Sequence, residues 1–130
     1  MNEMKRTLFF VLLAVAFITA SAQDVMRKEK DGTYVVNTTT LAQDVDGYNG
    51  PTPVEVYIKK NKIVKVGVLK SQEGPKYTAR VKKEMLPKYD GMSVKKGTVQ
   101  DVDAVTGATF TSKAVQENIR RAVAYYKKNK

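Results

Sequence analysis

The sequence VEVYIKKNKIVKVGV, residues 54–68, decides the fold because apolar and polar side chains alternate on either side of a basic turn. The apolar residues that set this alternation are Val54, Val56 and Ile58, then Val64, Val66 and Val68. A period of two places them on one face of each strand. The stretch therefore predicts a half-buried antiparallel hairpin, rich in valine, that turns through Lys60-Asn61-Lys62.

One further strand and a loop are predicted before the hairpin. Residues 33–40 follow an Asp31-Gly32 turn and are rich in β-branched and aromatic side chains, which favour a strand. The sequence GYNGP at residues 47–51 predicts a loop, because Gly-Pro interrupts regular structure and the glycines permit unusual dihedral angles.

The pattern becomes helical after the hairpin. Tyr77, Val81 and Met85 recur at four-residue spacing, so residues 76–85 are predicted to form a helix with these side chains on its core face. Pro87 lies near the predicted end of this helix. The helical core spacing favours packing, rather than ligand contact, for Tyr77.

The C-terminal part is predicted to contain a loop, a strand and a long helix. Residues 91–97 predict the loop and residues 98–102 the strand. The helix is predicted over residues 112–127, with Thr111 or Ser112 as its N-cap. Its apolar side chains fall on one face: Val115, Ile119, Ala122, Val123 and Tyr126.

These elements predict a small single domain of the α+β class. Its antiparallel sheet contains the valine-rich hairpin, one helix is central, and the other is C-terminal after a hydroxyl-rich turn. Of the 130 residues, 108 follow position 22, which is enough for one modest core. The sequence has no cysteine and no histidine, so disulfides are excluded and the commonest metal ligands are missing. No metal site is expected.

The N-terminus has the organisation of a secretory signal peptide. Lys5-Arg6 precedes an almost unbroken apolar run over residues 8–16, and the small residues Ala20-Ser21-Ala22 follow. The apolar run is shorter than the roughly 18 to 20 residues that a helix needs to span a bilayer. This length favours cleavage over anchoring.

Cleavage near Ala22 would leave a signal peptide, residues 1–22, and a mature domain, residues 23–130. The mature protein is then expected to be extracytoplasmic, either periplasmic or secreted. An uncleaved N-terminal tether is the alternative.

The chain is basic, with 23 Lys and Arg against 13 Asp and Glu and a formal net charge of +10. Removal of residues 1–22 takes away Glu3, Lys5 and Arg6 and leaves +9. The lysines occur singly or in pairs rather than in a dense run, and export separates the protein from nucleic acid, so no nucleic-acid partner is expected. Most of these charges are expected to be solvated, and the others would attract an acidic redox partner or an anionic envelope surface.

Residues 103–112, DAVTGATFTS, place four hydroxyls, one carboxylate and one glycine directly before the last predicted helix. Backbone N–H groups at a helix start have no intrahelical partner and carry partial positive charge, so a phosphate is stabilised there. Gly107 permits close approach of the backbone, and a threonine hydroxyl can hydrogen-bond a phosphate or be esterified by it. The same residue types also build ordinary helix caps and tight turns, so composition alone leaves both interpretations open.

The run resembles the flavinylation motif of the FMN-binding domain family, found in the C subunit of the sodium-pumping NADH:quinone reductase, the G subunit of the Rnf complex and small secreted bacterial proteins. Its pattern is Asp, two free positions, Ser or Thr, then Gly-Ala-Thr. The matching residues here are Asp103, Thr106, Gly107, Ala108 and Thr109. The resemblance implies that a dedicated flavin transferase attaches FMN to Thr109 through a phosphoester. Thr111 and Ser112 supply the hydroxyl that usually follows the motif.

The resemblance covers nearly the whole mature chain, because Asp31-Gly32-Thr33-Tyr34, the loop at 47–51 and the hairpin follow the order of the short secreted form. Two positions depart from the family. Ala104 stands at a free position where the family often has glycine. Glu73-Gly74-Pro75 stands where the longer respiratory subunits carry Glu-Thr-Pro-Gly, which bears on the contacts to the flavin ring.

Several residues have two interpretations each. Tyr48 either stacks on the flavin ring or closes the edge of the core. Lys113 either pairs with the flavin phosphate or is solvated. Asp103 either makes a local turn or belongs to the sequence that the transferase recognises.

The resemblance implies an exported flavoprotein that carries electrons, or a redox subunit, with a redox partner that can be membrane-bound. Flavin accepts and donates electrons singly or in pairs, so the redox chemistry belongs to the cofactor. No nucleophile and base pair, metal cluster or dehydrogenase fingerprint indicates an autonomous enzyme. Two alternatives stay open: a module that binds FMN or another phospho-ligand non-covalently, and a cofactor-free secreted protein whose basic face binds an acidic partner.

Overall fold

The computed structural model describes residues 25–130, so the predicted signal peptide and its cleavage position lie outside the described residues. A four-stranded antiparallel sheet has its strands in chain order, so each strand pairs with the next. The strands are β1 (Met26–Lys28), β2 (Tyr34–Asn37), β3 (Val54–Lys59) and β4 (Lys62–Val68).

Two α-helices complete the domain. Helix α1 spans Pro75–Glu84 and is followed by a short 3-10 turn at Leu86–Tyr89, and helix α2 spans Thr109–Asn129. Helix α2 contacts β2 and β3, and α1 contacts both β4 and α2. The prediction of a small α+β domain with one central and one C-terminal helix is therefore confirmed. Within residues 25–130 no helix has the length and apolar character needed to cross a bilayer.

The β3–β4 hairpin turns through two residues rather than the three that the sequence predicts. Lys60 and Asn61 have φ values of 52° and 62°, and Lys59 pairs with Lys62. Two consecutive positive φ values match the right-handed twist of the flanking strands, and asparagine adopts this region readily. Strand β4 therefore starts at Lys62, the last residue of the predicted turn.

A bulge changes which side chains of β4 face the core. Tyr57 pairs with Lys65, but the next residue, Ile58, pairs with Ile63, so Val64 is an extra residue. Because side chains alternate along a strand, one extra residue reverses the facing of the positions beyond it. Ile63 is consequently buried and Val64 is 48% exposed, which contradicts the predicted inward position of Val64.

The core lies between the sheet, α2 and the buried side of α1. Its fully buried side chains include Val54, Val56, Ile58, Val81, Met85, Val115, Ile119 and Val123. Tyr126 packs edge-on against Tyr34, with ring centroids 5.3 Å apart, which confirms its predicted packing position. A buried Asn118 hydrogen-bonds the Thr38 and Thr52 hydroxyls and so joins α2 to the sheet.

Two predicted strands differ from the structure. Residues 98–102 form no strand. Two of them bond to side chains of α2 rather than to a neighbouring strand: the Gln116 amide donates to the Val102 carbonyl, and Arg120 pairs with Asp101. Strand β2 ends at Asn37, whose side chain accepts hydrogen bonds from Thr39 and so competes with the sheet. Strand β1, which pairs along β2, was not predicted.

Burial of Tyr89 predicts a loss of stability at high pH. Burial, aided by Asp101 and opposed by Arg120, raises the pKa of Tyr89 from 10.0 to about 12. The unfolded chain therefore releases this proton first, and the free energy of unfolding should fall between pH 10 and 12 by up to about 1.4 kcal/mol per pH unit.

Tyr89→Phe should lessen this fall, as measured by urea unfolding from pH 9 to 12. The exposed Tyr48, replaced by Phe, controls for the loss of a hydroxyl. An unchanged slope in Tyr89→Phe would contradict the prediction.

Candidate functional site

A cleft of about 290 Å³ opens where three segments meet: the loop at residues 47–50, the first turn of α1 and the turn that begins α2. The residues that line it are Tyr48, Tyr77, Gly107, Ala108, Thr109, Phe110 and Thr111. Tyr48 and four of the residues nominated from the 103–112 stretch are thus brought together here.

The turn before α2 bends at Gly107, which has a φ of 82°. This value is easily reached by glycine and strained for other residues. The Ala108 N–H donates to the Val105 carbonyl at 2.9 Å, and α2 begins at the next residue, Thr109. Thr109 is therefore the first residue of the helix, with an exposed side chain at the mouth of the cleft.

The predicted N-cap is wrong, because α2 starts three residues before Ser112 and has Ala108 as its N-cap. The two hydroxyls assigned to the cap have other partners. Ser112 Oγ is buried and accepts a hydrogen bond from the Val105 N–H at 3.0 Å, which connects the first turn of α2 to the residues before the Gly107 turn. Thr111 Oγ1 donates to Glu73 Oε1 at 2.8 Å.

The outer part of the cleft is aromatic. Tyr48 and Phe110 are 70% and 67% exposed, and their ring centroids are 6.4 Å apart at an interplanar angle of 40°. Tyr77 is 40% exposed and lines the cleft, so its predicted core position is wrong. Val81 is the buried residue of α1, whereas Tyr77 lies one turn earlier, with its ring beside Gly74.

A buried carboxylate holds two sides of the cleft together. Glu73 accepts the Tyr48 and Asn49 N–H groups at 2.7 and 2.6 Å, in addition to the Thr111 hydroxyl. The residue is 7% exposed, and these three donors offset the cost of burying a carboxylate. No sequence pattern predicts this role of Glu73, whose segment stands out only through the family resemblance.

Gly47 leaves the space that this carboxylate occupies. A Cβ at this position would lie 2.1 Å from Glu73 Oε1 and 2.9 Å from a Thr52 methyl carbon. No side chain larger than hydrogen fits here while Glu73 keeps its three donors.

The other nominated residues lie outside the cleft. Asp103 and Thr106 are exposed on the segment that leads to the turn, and neither lines the cleft. Lys113 is also exposed and is not a lining residue. Over residues 25–130 no three His, Cys, Asp or Glu side chains are grouped so that they could hold a metal ion.

The chain was compared with known protein families. The model of the FMN-binding domain matches residues 47–124, which include the Tyr48 loop, the hairpin, α1, the turn and most of α2. No curated protein matches the chain.

Gly47→Ala should destabilise the domain by about 1–3 kcal/mol, because its Cβ overlaps Glu73 and forces the carboxylate or the loop to move. Thermal or urea unfolding measures the loss. Amide exchange should also become faster at Tyr48 and Asn49, whose N–H groups would lose their acceptor.

Gly67→Ala is the matched control for this change. A Cβ at Gly67 meets nothing within 4 Å, and the residue has no positive φ. Equal stability of the two variants would show that Glu73 does not constrain the loop.

Proposed function

The chain belongs to the FMN-binding domain family, and on that premise we propose that it is an exported electron carrier, or a redox subunit, with FMN linked to Thr109 through a phosphoester. The observation that carries the proposal is the position of Thr109. Its exposed side chain is at the first residue of α2, on the rim of an aromatic cleft.

The cleft fits the ring part of such a group. Its volume of about 290 Å³ is close to the lower end of the range for small-molecule sites, roughly 300 Å³, and it is open to solvent. Tyr48 and Phe110 offer exposed aromatic faces to a planar ring, and the open side leaves a ring edge accessible to a partner. Glu73 keeps Tyr48 in place by holding its backbone.

The start of α2 fits the phosphate. The N–H groups of its first turn have no acceptor within the helix and carry partial positive charge. No acidic residue lies in this turn, so its positive end is not compensated by a side chain of the helix. A phosphoryl group on Thr109 would be stabilised there.

Attachment would proceed as a transfer from flavin adenine dinucleotide, catalysed by a flavin transferase. Thr109 Oγ1 would bond to the phosphorus of the FMN half, the diphosphate P–O bond would break, and AMP would leave as the hydroxyl proton is released. Asp103 and Thr106 are exposed and so accessible for recognition by the transferase. Covalent attachment suits an exported carrier, because a reversible site empties when free flavin is dilute.

Bound flavin supplies one- and two-electron transfer. The chain would orient the ring with its aromatic residues and attract the partner with its charge. Helix α1, which contributes Tyr77 to the cleft, carries Lys76, Arg80, Lys82 and Lys83 against Glu84 alone. This basic helix would speed association with an acidic redox partner, including a membrane-bound one.

Co-expression with a flavin transferase should add one FMN phosphoryl unit to the mass of the chain, and Thr109→Val should abolish the increase because it removes the only atom that forms the bond. Intact-mass analysis measures both results. Thr40→Val is the control, since Thr40 is an exposed threonine outside the motif.

The result also separates the alternatives. An unmodified wild-type chain that is yellow and bleaches on denaturation would indicate non-covalent FMN. An unmodified, colourless chain would favour a cofactor-free interaction protein.

Tyr48→Ala and Phe110→Ala should each raise the fluorescence of the attached flavin several-fold, because aromatic rings in contact with flavin quench it and each variant removes one of them. Steady-state emission of the loaded proteins measures the change. Val64→Ala, which alters an exposed apolar residue outside the cleft, should leave emission unchanged. Equal emission from all four loaded proteins would refute the stacking arrangement.

A further inference from the structure

We propose that Arg80 is the counter-charge of the phosphoryl group on Thr109, an inference that rests on the proposed covalent attachment. Arg80 lies on α1, next to the turn that precedes α2. Its Nη1 is 3.3 Å from the position that a Cβ on Gly107 would occupy. The guanidinium therefore lies against the turn two residues before Thr109.

Arg80 retains unused donors that face this turn. Its Nε donates to Glu84 Oε2 at 2.9 Å, and within the described residues Nη1 and Nη2 make no hydrogen bond to the protein. Four of its five N–H groups are therefore available. A planar guanidinium with two free nitrogens matches the two non-bridging oxygens of a phosphodiester.

The absence of a side chain at Gly107 brings this cation close to the backbone of the turn. A Cβ there would be in tight contact with Nη1. Gly107 thus serves two purposes: it adopts the positive φ of the turn, and it leaves room for the guanidinium.

Competition from nearby carboxylates is weak. Glu73 is buried and already accepts three hydrogen bonds. Glu84 is 47% exposed, and an exposed i,i+4 ion pair contributes little stability, so Arg80 can share or leave it for the phosphoryl group. Asp103 is exposed and makes no ion pair within the described residues.

Lys113, the cation that the sequence nominated for the phosphate, is less suitable. It lies four residues after Thr109, one turn further along α2 and away from the positive end of the helix dipole. Its ammonium also lacks the rigid planar fork that can bind two oxygens at once. The matched comparison is therefore between Arg80 and Lys113.

Fixing the phosphoryl group would restrict the flexible chain that links it to the ring. Arg80 is then a cofactor-binding residue that limits motion of the flavin in the cleft. The effect of Arg80 should be visible in the phosphorus NMR signal and in the rotation of the flavin ring. Because the Arg80 side chain is partly buried, added salt should weaken its interaction with the phosphoryl group less than it weakens an exposed ion pair.

The test uses the flavinylated wild-type chain, Arg80→Gln, Arg80→Lys and Lys113→Gln. Phosphorus NMR reports the shift of the phosphodiester, and time-resolved fluorescence anisotropy reports rotation of the attached flavin. Arg80→Gln should move the phosphorus resonance and roughly double the amplitude of fast rotation, because the charge-assisted hydrogen bonds are lost. Arg80→Lys should give an intermediate result, and Lys113→Gln should match wild type.

Glu84→Gln separates phosphate binding from a structural role of the Arg80–Glu84 pair. It breaks the same ion pair but leaves the guanidinium free, so the flavin should rotate no faster than in wild type. If Arg80→Gln does not accept flavin, Arg80→Lys gives the same comparison. The inference would be overturned if both Arg80 variants gave the same spectra as wild type, or if the flavin rotated faster in Glu84→Gln. A wild-type chain that is never flavinylated would instead overturn the proposed function.

Discussion

The buried carboxylate of Glu73 is the constraint on which the site depends. It joins a loop that precedes the hairpin to the first turn of α2, through three donors at 2.6 to 2.8 Å. A buried charge is tolerated only when such donors are present, so the Tyr48 loop and the turn cannot separate without a large cost. The cleft therefore keeps its shape through one buried carboxyl side chain rather than through a continuous apolar wall.

Sequence reasoning identified the elements better than their boundaries. The alternation over residues 54–68 was enough for the hairpin, because a period of two is a property of the strands themselves. It could not reveal the bulge between the Tyr57 and Ile58 pairs, since the extra residue, Val64, is as apolar as Ile63 before it. The start of α2 was missed for a related reason: the motif offers several cap-forming residues, and only tertiary contacts decide that Ser112 and Thr111 bond elsewhere.

The same limit applies to the candidate site: its consecutive residues could be predicted from the sequence, whereas contacts between distant residues could not. The motif residues are consecutive, so their chemistry could be read locally, and Thr109 lies at the cleft as the resemblance implied. Glu73 acts on residues 25 and 38 positions away, a separation that no local pattern encodes. Tyr77 has the spacing of a core residue, but whether a helical position is covered depends on where the neighbouring elements end.

The basic composition separates into two physical roles. All four arginines of residues 25–130 form ion pairs with carboxylates, and two of them attach α2 to other segments: Arg121 to Asp44 and Arg120 to Asp101. Among the lysines of the same range, only Lys59 forms an ion pair. The arginine charges are paired with carboxylates, so the net positive charge of the described domain comes mainly from lysines that form no ion pair. Such a field attracts an acidic partner over distance without tying the stability of the domain to that contact.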